Sequence, residues 1–506
     1  MSQTKAQLID AAATFTISSD ASFNSVSIGK GANSVSTNTV VGETALDAIT
    51  SGSANTALGF SSLTALTSGT ENTAIGQRSL LSLVTGHRNT GVGGGTLQNT
   101  TGNDNTAVGR DSLIQNTSGS ANTAVGKDAL NKNTTGTENA AFGAIALDAN
   151  TTGNNNTACG RSALGSNSTA SNNVAVGYNS LLQNTTGSEN TALGTNALGA
   201  NTTAANNTVI GYNAGDAVTT GTQNTAVGSV AFTSATTGSY NTGVGYRSLL
   251  NVTDSTYNTA VGYETVRNNT TGGSNVGIGA FALFENTTAN DNVAVGYDAI
   301  RNNTTGTRLV GVGRRALKAN TTANDNTALG HHALELNTTG TRNTAVGSFS
   351  LDASTTANDN SAFGYNALTE NTSGVDNNAF GANTLDANTT GSSNCAFGFQ
   401  SLTANTTASN NTGFGHKTLE ANTTGTANVA VGTNALDSNT DGNSNTAIGR
   451  NAIEANTSGS NNVAVGTEAL FTASNLGNTT AVGYRALYTN GNTCLLYTSP
   501  SPRDWL

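Results

Sequence analysis

The sequence predicts an all-β fold, a parallel β-solenoid with one coil per 17 residues. The first observation behind this is the period. The pentapeptide Asn105-Thr106-Ala107-Val108-Gly109 returns in kindred form every 17 residues, and its glycine recurs at Gly126, Gly143 and Gly160 and onward without a slip to Gly483. Repetition at such a spacing marks an array of stacked units, each touching only its neighbours. The second is the β-favouring Thr-Ala-Val ahead of that glycine. The third is a pair of apolar slots at fixed phase, one just before the glycine (Val108, Val125, Val176) and one four residues after it (Leu113, Leu130, Leu181).

Each slot of the unit N-T-A-V-G-x-x-A-L-x-x-N-T-T-G-x-x carries an expectation. Side chains two apart on a strand share a face, so Thr106 and Val108 are expected to point inward and Ala107 outward. The Ala107 phase is held by small residues, with Gly243 and Gly277 in other units, which suggests that another surface packs against it. A neighbouring copy in a homotrimer is the simplest such surface; a loop of the same coil is the rival. The Gly109 slot fits a positive-φ corner or a close backbone approach. The Gly119 slot also accepts Ala170, Ala204 and Ala289, so it asks only for a small residue. The stretch Ala129-Leu130-Asn131-Lys132 tolerates helix, leaving one short helical turn per coil or a second strand both open. Asn105 and Asn116 each begin a fixed asparagine slot, and stacking would turn each set into an amide ladder. Twenty-seven coils at about 4.8 Å would span roughly 130 Å.

Three regions divide the chain. Residues 1–23 lack the repeat and are expected to attach or cap, with a short helix over Lys5–Ala13 and a strand over Thr14–Ser18. Residues 24–493 are the solenoid, beginning in shortened form at Asn24 and regular from about Gly42, with one residue missing before Gly109. Residues 494–506 hold both prolines and the only tryptophan. The string Cys494 to Asp504 resembles an in-frame translation of a transposon-type sequencing adapter, so the tail is set apart as artefactual and the gene is expected to continue past Thr493.

Composition narrows the function. Of the 506 residues only 10% are charged and 5% aromatic, and the net charge of −10 is spread without a basic stripe, which disfavours nucleic acid. No apolar run approaches the ~20 residues of a membrane span, and the N-terminus lacks a secretory core. Cys159 and Cys395 occupy repeat slots and read as small buried hydrophobes. His87, His331, His332 and His416 have no cysteine or carboxylate partner at metal-ligand spacing. No phosphate loop or calcium-roll motif appears among the glycines. The chain is therefore expected to be no enzyme and to use no metal or cofactor. One slot invites recognition. The position after the glycine collects Tyr178, Tyr212, Tyr246, Tyr263, Tyr297, Tyr365 and Tyr484, seven of the eleven tyrosines, as a candidate stripe for glycan or protein contact.

The runs Ser25 to Ala32 and Asn173 to Gly177 resemble the head repeats of trimeric autotransporter adhesins, which implies a left-handed β-roll wound as a trimer. The longer unit with Asn-Thr-Thr-Gly looks more like repeats in fibre proteins of tailed, particularly marine, phages, and Met1 to Leu8 is similar to N-termini of that group. The resemblance covers about nine-tenths of the chain. It implies a homotrimeric tail-fibre shaft in the virion, joined to other tail or baseplate proteins through its N-terminus and presenting a tip to a host surface. The alternative is the head of an autotransporter adhesin on a bacterial surface. An ice-binding solenoid is a third class, disfavoured because threonine here alternates with corner slots instead of forming flat rows.

Overall fold

The computed structural model describes residues 20–472 and 474–489. The helix expected over Lys5–Ala13, the strand over Thr14–Ser18 and the adapter-like tail lie outside them. The described chain is all-β, a parallel β-solenoid with a 17-residue repeat, and falls into two units, Met1–Gln223 and Asn224–Leu506.

The first unit opens with an antiparallel hairpin. Strand β1 (Ala21–Phe23) pairs with β2 (Val26–Gly29), and β2 pairs antiparallel with β3 (Thr39–Val41). The Asp20 carboxylate fastens this cap by accepting hydrogen bonds from the backbone N–H groups of Lys30 (2.6 Å) and Gly31 (2.8 Å). From β3 onward each coil contributes one three-residue strand paired parallel with the next, in a register that advances by one repeat: Thr157 opposite Val174, Ala158 opposite Ala175, Cys159 opposite Val176. The missing residue before Gly109 falls at the Thr101-Gly102 corner, so Thr90 still pairs with Thr106. The second unit repeats this plan, with Thr225 opposite Thr242 and so on to Val463 opposite Thr480.

Strand pairing is only part of the adhesion between coils. The turns donate along the stack as well: Asp111 N–H to Gly94 O, Leu113 N–H to Ala129 O and Thr117 N–H to Thr134 O, all at 2.9–3.0 Å. That pattern explains why no α-helix occurs among the described residues. A helical turn would direct its N–H groups into its own coil, whereas here those of Asp111, Leu113 and Gln115 go to the neighbours and only three-residue turns, such as Asn116 N–H to Leu113 O, close within the coil. The turn instead places Asp111 (φ 57°) and Leu113 (φ 49°) in the left-handed region, and Ala121 (φ 57°) does so at the next corner. L-residues resist this conformation, so the coil holds leucine there only because its side chain is fully buried and its N–H is bonded.

The inward face of the strand is the reverse of the expected one. Ala107, Ala124 and Ala175 are fully buried, while Thr106 and Val108 lie half-exposed on the outside. The Val108 column is therefore not interior; the Leu113, Leu130 and Leu181 column is. Interior width is the cause. A Cβ added to Gly277 would lie 2.6 Å from Val266 Cγ2, and one added to Gly311 would lie 2.6 Å from Ile300 Cγ1. The leucine slot of one coil thus packs directly on the inward strand residue, and after Val266 and Ile300 the next strand retreats to glycine, whereas Ile453 is followed by Ala464. Val209 is a large residue in the Ala107 phase, and opposite it Gly215 replaces the usual leucine. The small-residue face is covered from within its own chain. Cys159 and Cys395 are corrected by the same reversal: both stand in outward strand slots, Cys159 exposed and Cys395 half-exposed, with partial burial pushing the Cys395 thiol up.

Both asparagine ladders form. Asn122 donates through Nδ2 to Asn105 Oδ1 (3.2 Å) and to Gly136 O (2.9 Å), and its backbone N–H bonds the same Oδ1 (3.1 Å). Asn133 donates to Asn116 Oδ1 (2.8 Å) and also to Gly136 O (3.0 Å), so one corner carbonyl joins the two ladders. These amides are fully buried and paired, as interior polar groups must be. The Gly109 corner meets both expectations, with φ 120° and a would-be Cβ 2.7 Å from the Gly126 carbonyl.

Two substitutions test this interior. In the second unit Ser354 interrupts the Asn116-type ladder, and the buried Asn337 Oδ1 and Ser354 Oγ have no hydrogen-bond partner. Ser354→Asn should restore the bond to Asn337 and accept one from Asn371, raising stability by about 1–2 kcal/mol in denaturant unfolding; a loss would contradict the ladder's energetic role. The Val209–Gly215 exchange should behave as a swap of volume. Val209→Ala and Gly215→Leu are each expected to cost about 1–3 kcal/mol, and the double variant should recover most of it. Additive losses would show that the two positions do not share one space.

Candidate functional surfaces

The seven tyrosines of the predicted stripe are all exposed, from Tyr246 at 38% to Tyr484 at 70%. The corner after the glycine points away from the coil, so these rings contribute little to the interior. They do not form an unbroken row. Tyr178 and Tyr212 belong to the first unit; in the second, Tyr246 and Tyr263 stack at 5.5 Å, and Phe281 bridges Tyr263 (5.3 Å) and Tyr297 (6.0 Å) edge-on. Arginines of the same chain lie over several faces: Arg161 on Tyr178, Arg247 on Tyr246 and Arg485 on Tyr484, at 4.9–5.8 Å. Such contacts hold each ring in place and leave one face and the hydroxyl to solvent.

A second surface was not anticipated as one. The outward strand slots make an apolar row in each unit. In the first it runs through Leu58, Phe142 and Leu193, each 43–45% exposed; in the second through Ile278, Leu329 and Phe414, at 41–56%. Phe363, Phe380 and Phe397 stack ring on ring in the second unit, with centroids 4.5–4.6 Å apart and planes within 7°. Its signal in the sequence is the unbroken apolar occupancy of the slot, a pattern that a core column would share.

The slot after the interior leucine gathers the perturbed acids. Asp148, Asp216, Asp352, Asp386, Asp437 and Glu454 all occupy it, and burial lifts each carboxyl above its ordinary range. Asp437 reaches about 6, pushed by burial first and then by the Glu420 carboxylate one coil before it. Two acids of this slot join a histidine in a grouping that spacing within one repeat does not reveal. His332, Glu335 and Asp352 bring one imidazole nitrogen and two carboxylate oxygens within 4.8 Å of one another. The legible signal was His332-x-x-Glu335 with an acid one repeat after the glutamate.

No protein family matches this sequence, and no curated protein is significantly similar to it.

Asp437 allows a test of the acid slot. Its folded pKa of about 6 stands above the ordinary 3.8, so the folded chain binds the proton more tightly than the unfolded one. Stability should fall as pH rises from about 4 to about 6 and stay reduced above that. Asp437→Asn is therefore expected to raise the thermal midpoint at pH 8 and leave it nearly unchanged at pH 4. An equal shift at both pH values would show that the charge is not the cause.

Proposed function

We propose that this chain is the shaft of a homotrimeric phage tail fibre, which spaces a receptor-binding tip from the particle and uses its N-terminal segment to join other tail proteins. The observation that carries the reading is the outward apolar row. Soluble monomers rarely expose contiguous apolar surface beyond roughly 300–600 Å², and here an apolar side chain stands outward in coil after coil. A surface with one apolar contact per coil is best matched by a partner with the same repeat, and another copy of this chain has it. Three parallel copies around an axis along the stack would bring these rows together. This reading puts the interface on the Val108 slot and not on the Ala107 phase, which is buried within the chain. The exposed tyrosines would remain on the outside, free for a host glycan or protein.

Leu329→Glu and Phe414→Glu test the association. Each replaces an exposed strand residue, so the coil should keep its circular dichroism while the trimer dissociates in sedimentation. A wild-type chain that sediments as a folded monomer at micromolar concentration would overturn the interface. The biological assignment is checked separately by the flanking genes: capsid and tail components are expected on either side, and a secretion-type anchor would move the reading to a bacterial surface adhesin.

A further inference from the structure

We propose that His332, Glu335 and Asp352 form a binding site for one divalent transition-metal ion of the zinc type. The three residues come from two adjacent coils. His332 and Glu335 flank the buried Leu334 on one, and Asp352 occupies on the next coil the slot that Glu335 holds on the first. Their ligand atoms all lie within 4.8 Å of one another.

Three features distinguish this grouping from an ordinary surface ion pair. The Glu335 carboxylate is divided: Oε1 faces Arg315 (3.4 Å) and Lys318 (4.0 Å), whereas Oε2 faces His332 Nδ1. The oxygen turned toward the histidine is the one the two cations leave alone. Asp352 Oδ1 is shut off from solvent and has no hydrogen-bond partner among the described residues. Unpaired buried carboxylate oxygen is costly, and a cation is the partner it lacks. The imidazole is held in place by Phe349, whose ring centroid lies 5.3 Å away, and by the adjacent His331 at 4.0 Å.

The donor set selects the ion. One imidazole nitrogen with two carboxylates suits zinc and its neighbours, whereas calcium and magnesium take oxygen alone. Zinc–ligand distances near 2.0–2.2 Å require the three atoms to draw together from their present spread, which rotation of the Asp352 and Glu335 side chains can supply. Three protein ligands leave a fourth position to water. Arg315 and Lys318 oppose a dication, so binding in the micromolar range is expected, weaker than in a closed structural site. Because the ligands span two coils, the ion would staple the stack where it binds.

Calorimetric titration of the tag-free full chain with zinc chloride, in a non-chelating buffer, tests the site. One ion per chain is expected, with His332→Gln and Asp352→Asn each weakening binding by at least the roughly 10–100-fold that loss of an outer partner alone costs. His416→Gln should leave affinity unchanged, since that ring is exposed and lies five coils away. Hydrogen exchange at the Leu336 N–H, which bonds Asp352 O across the two coils, should slow when zinc is added. No saturable binding by the wild-type chain, or binding that survives both variants or depends on His416, would overturn the proposal. The near-isosteric Asp352→Asn keeps the test decisive even where the histidine variant fails to fold.

Discussion

The width of the coil interior governs this structure. Between the strand and the turn that follows it there is room for one leucine-sized side chain and one methyl group. Ala107 and its equivalents supply the methyl, and Leu113 and its equivalents supply the leucine. Where the leucine slot broadens to Val266 or Ile300, the next strand gives up its methyl for Gly277 or Gly311. Where the strand carries Val209, the turn gives up its leucine for Gly215. That space is already filled, and where a coil buries a second large residue it does so at the far corner, in the Asn116 slot (Ile49, Leu66, Leu83), so the Val108 slot faces outward. The exposed apolar row is a consequence of this constraint.

A thin apolar core leaves much of the cohesion to hydrogen bonds between coils. Backbone groups in the strand and in the turn both reach the neighbouring coil, and the buried asparagines run two further ladders that share the corner carbonyl of Gly136. The geometry that makes this reach workable is the left-handed backbone at Asp111, Leu113 and Ala121. Asparagine fills many equivalents of the first and third positions, among them Asn179, Asn196, Asn155 and Asn172, as its tolerance of that region would favour. The second position stays apolar because its side chain is the core.

Function is thereby sorted by slot. Invariant slots are taken by packing and ladders, and what varies stands on the corners: the tyrosines after the glycine, the acids after the leucine. Each variable side chain is also brought beside its counterpart one coil away. Glu420 raises Asp437, Tyr246 meets Tyr263, and Glu335 meets Asp352 by the same translation. The solenoid converts a spacing of 17 residues into contact, so local chemistry arises from pairs that look remote in the chain.

The sequence by itself determined the architecture. Its period, the two asparagine slots, the glycine corner and the leucine column all stand in the structure as the residues imply, because each depends only on stacking identical units. The candidate tyrosines were legible for the same reason, as a slot that varied while its neighbours did not. Which face of the strand turns inward was not legible. Alternation establishes that Thr106 and Val108 share a face and that Ala107 opposes them, but it carries no sign. That sign depends on how far the turn stands from the strand, and this distance is set by left-handed residues and by the leucine and asparagine columns, not by the strand itself. The tertiary structure alone decided it, and with it the exposure of Cys159, the covering of Ala107 and the apolar row on the outside.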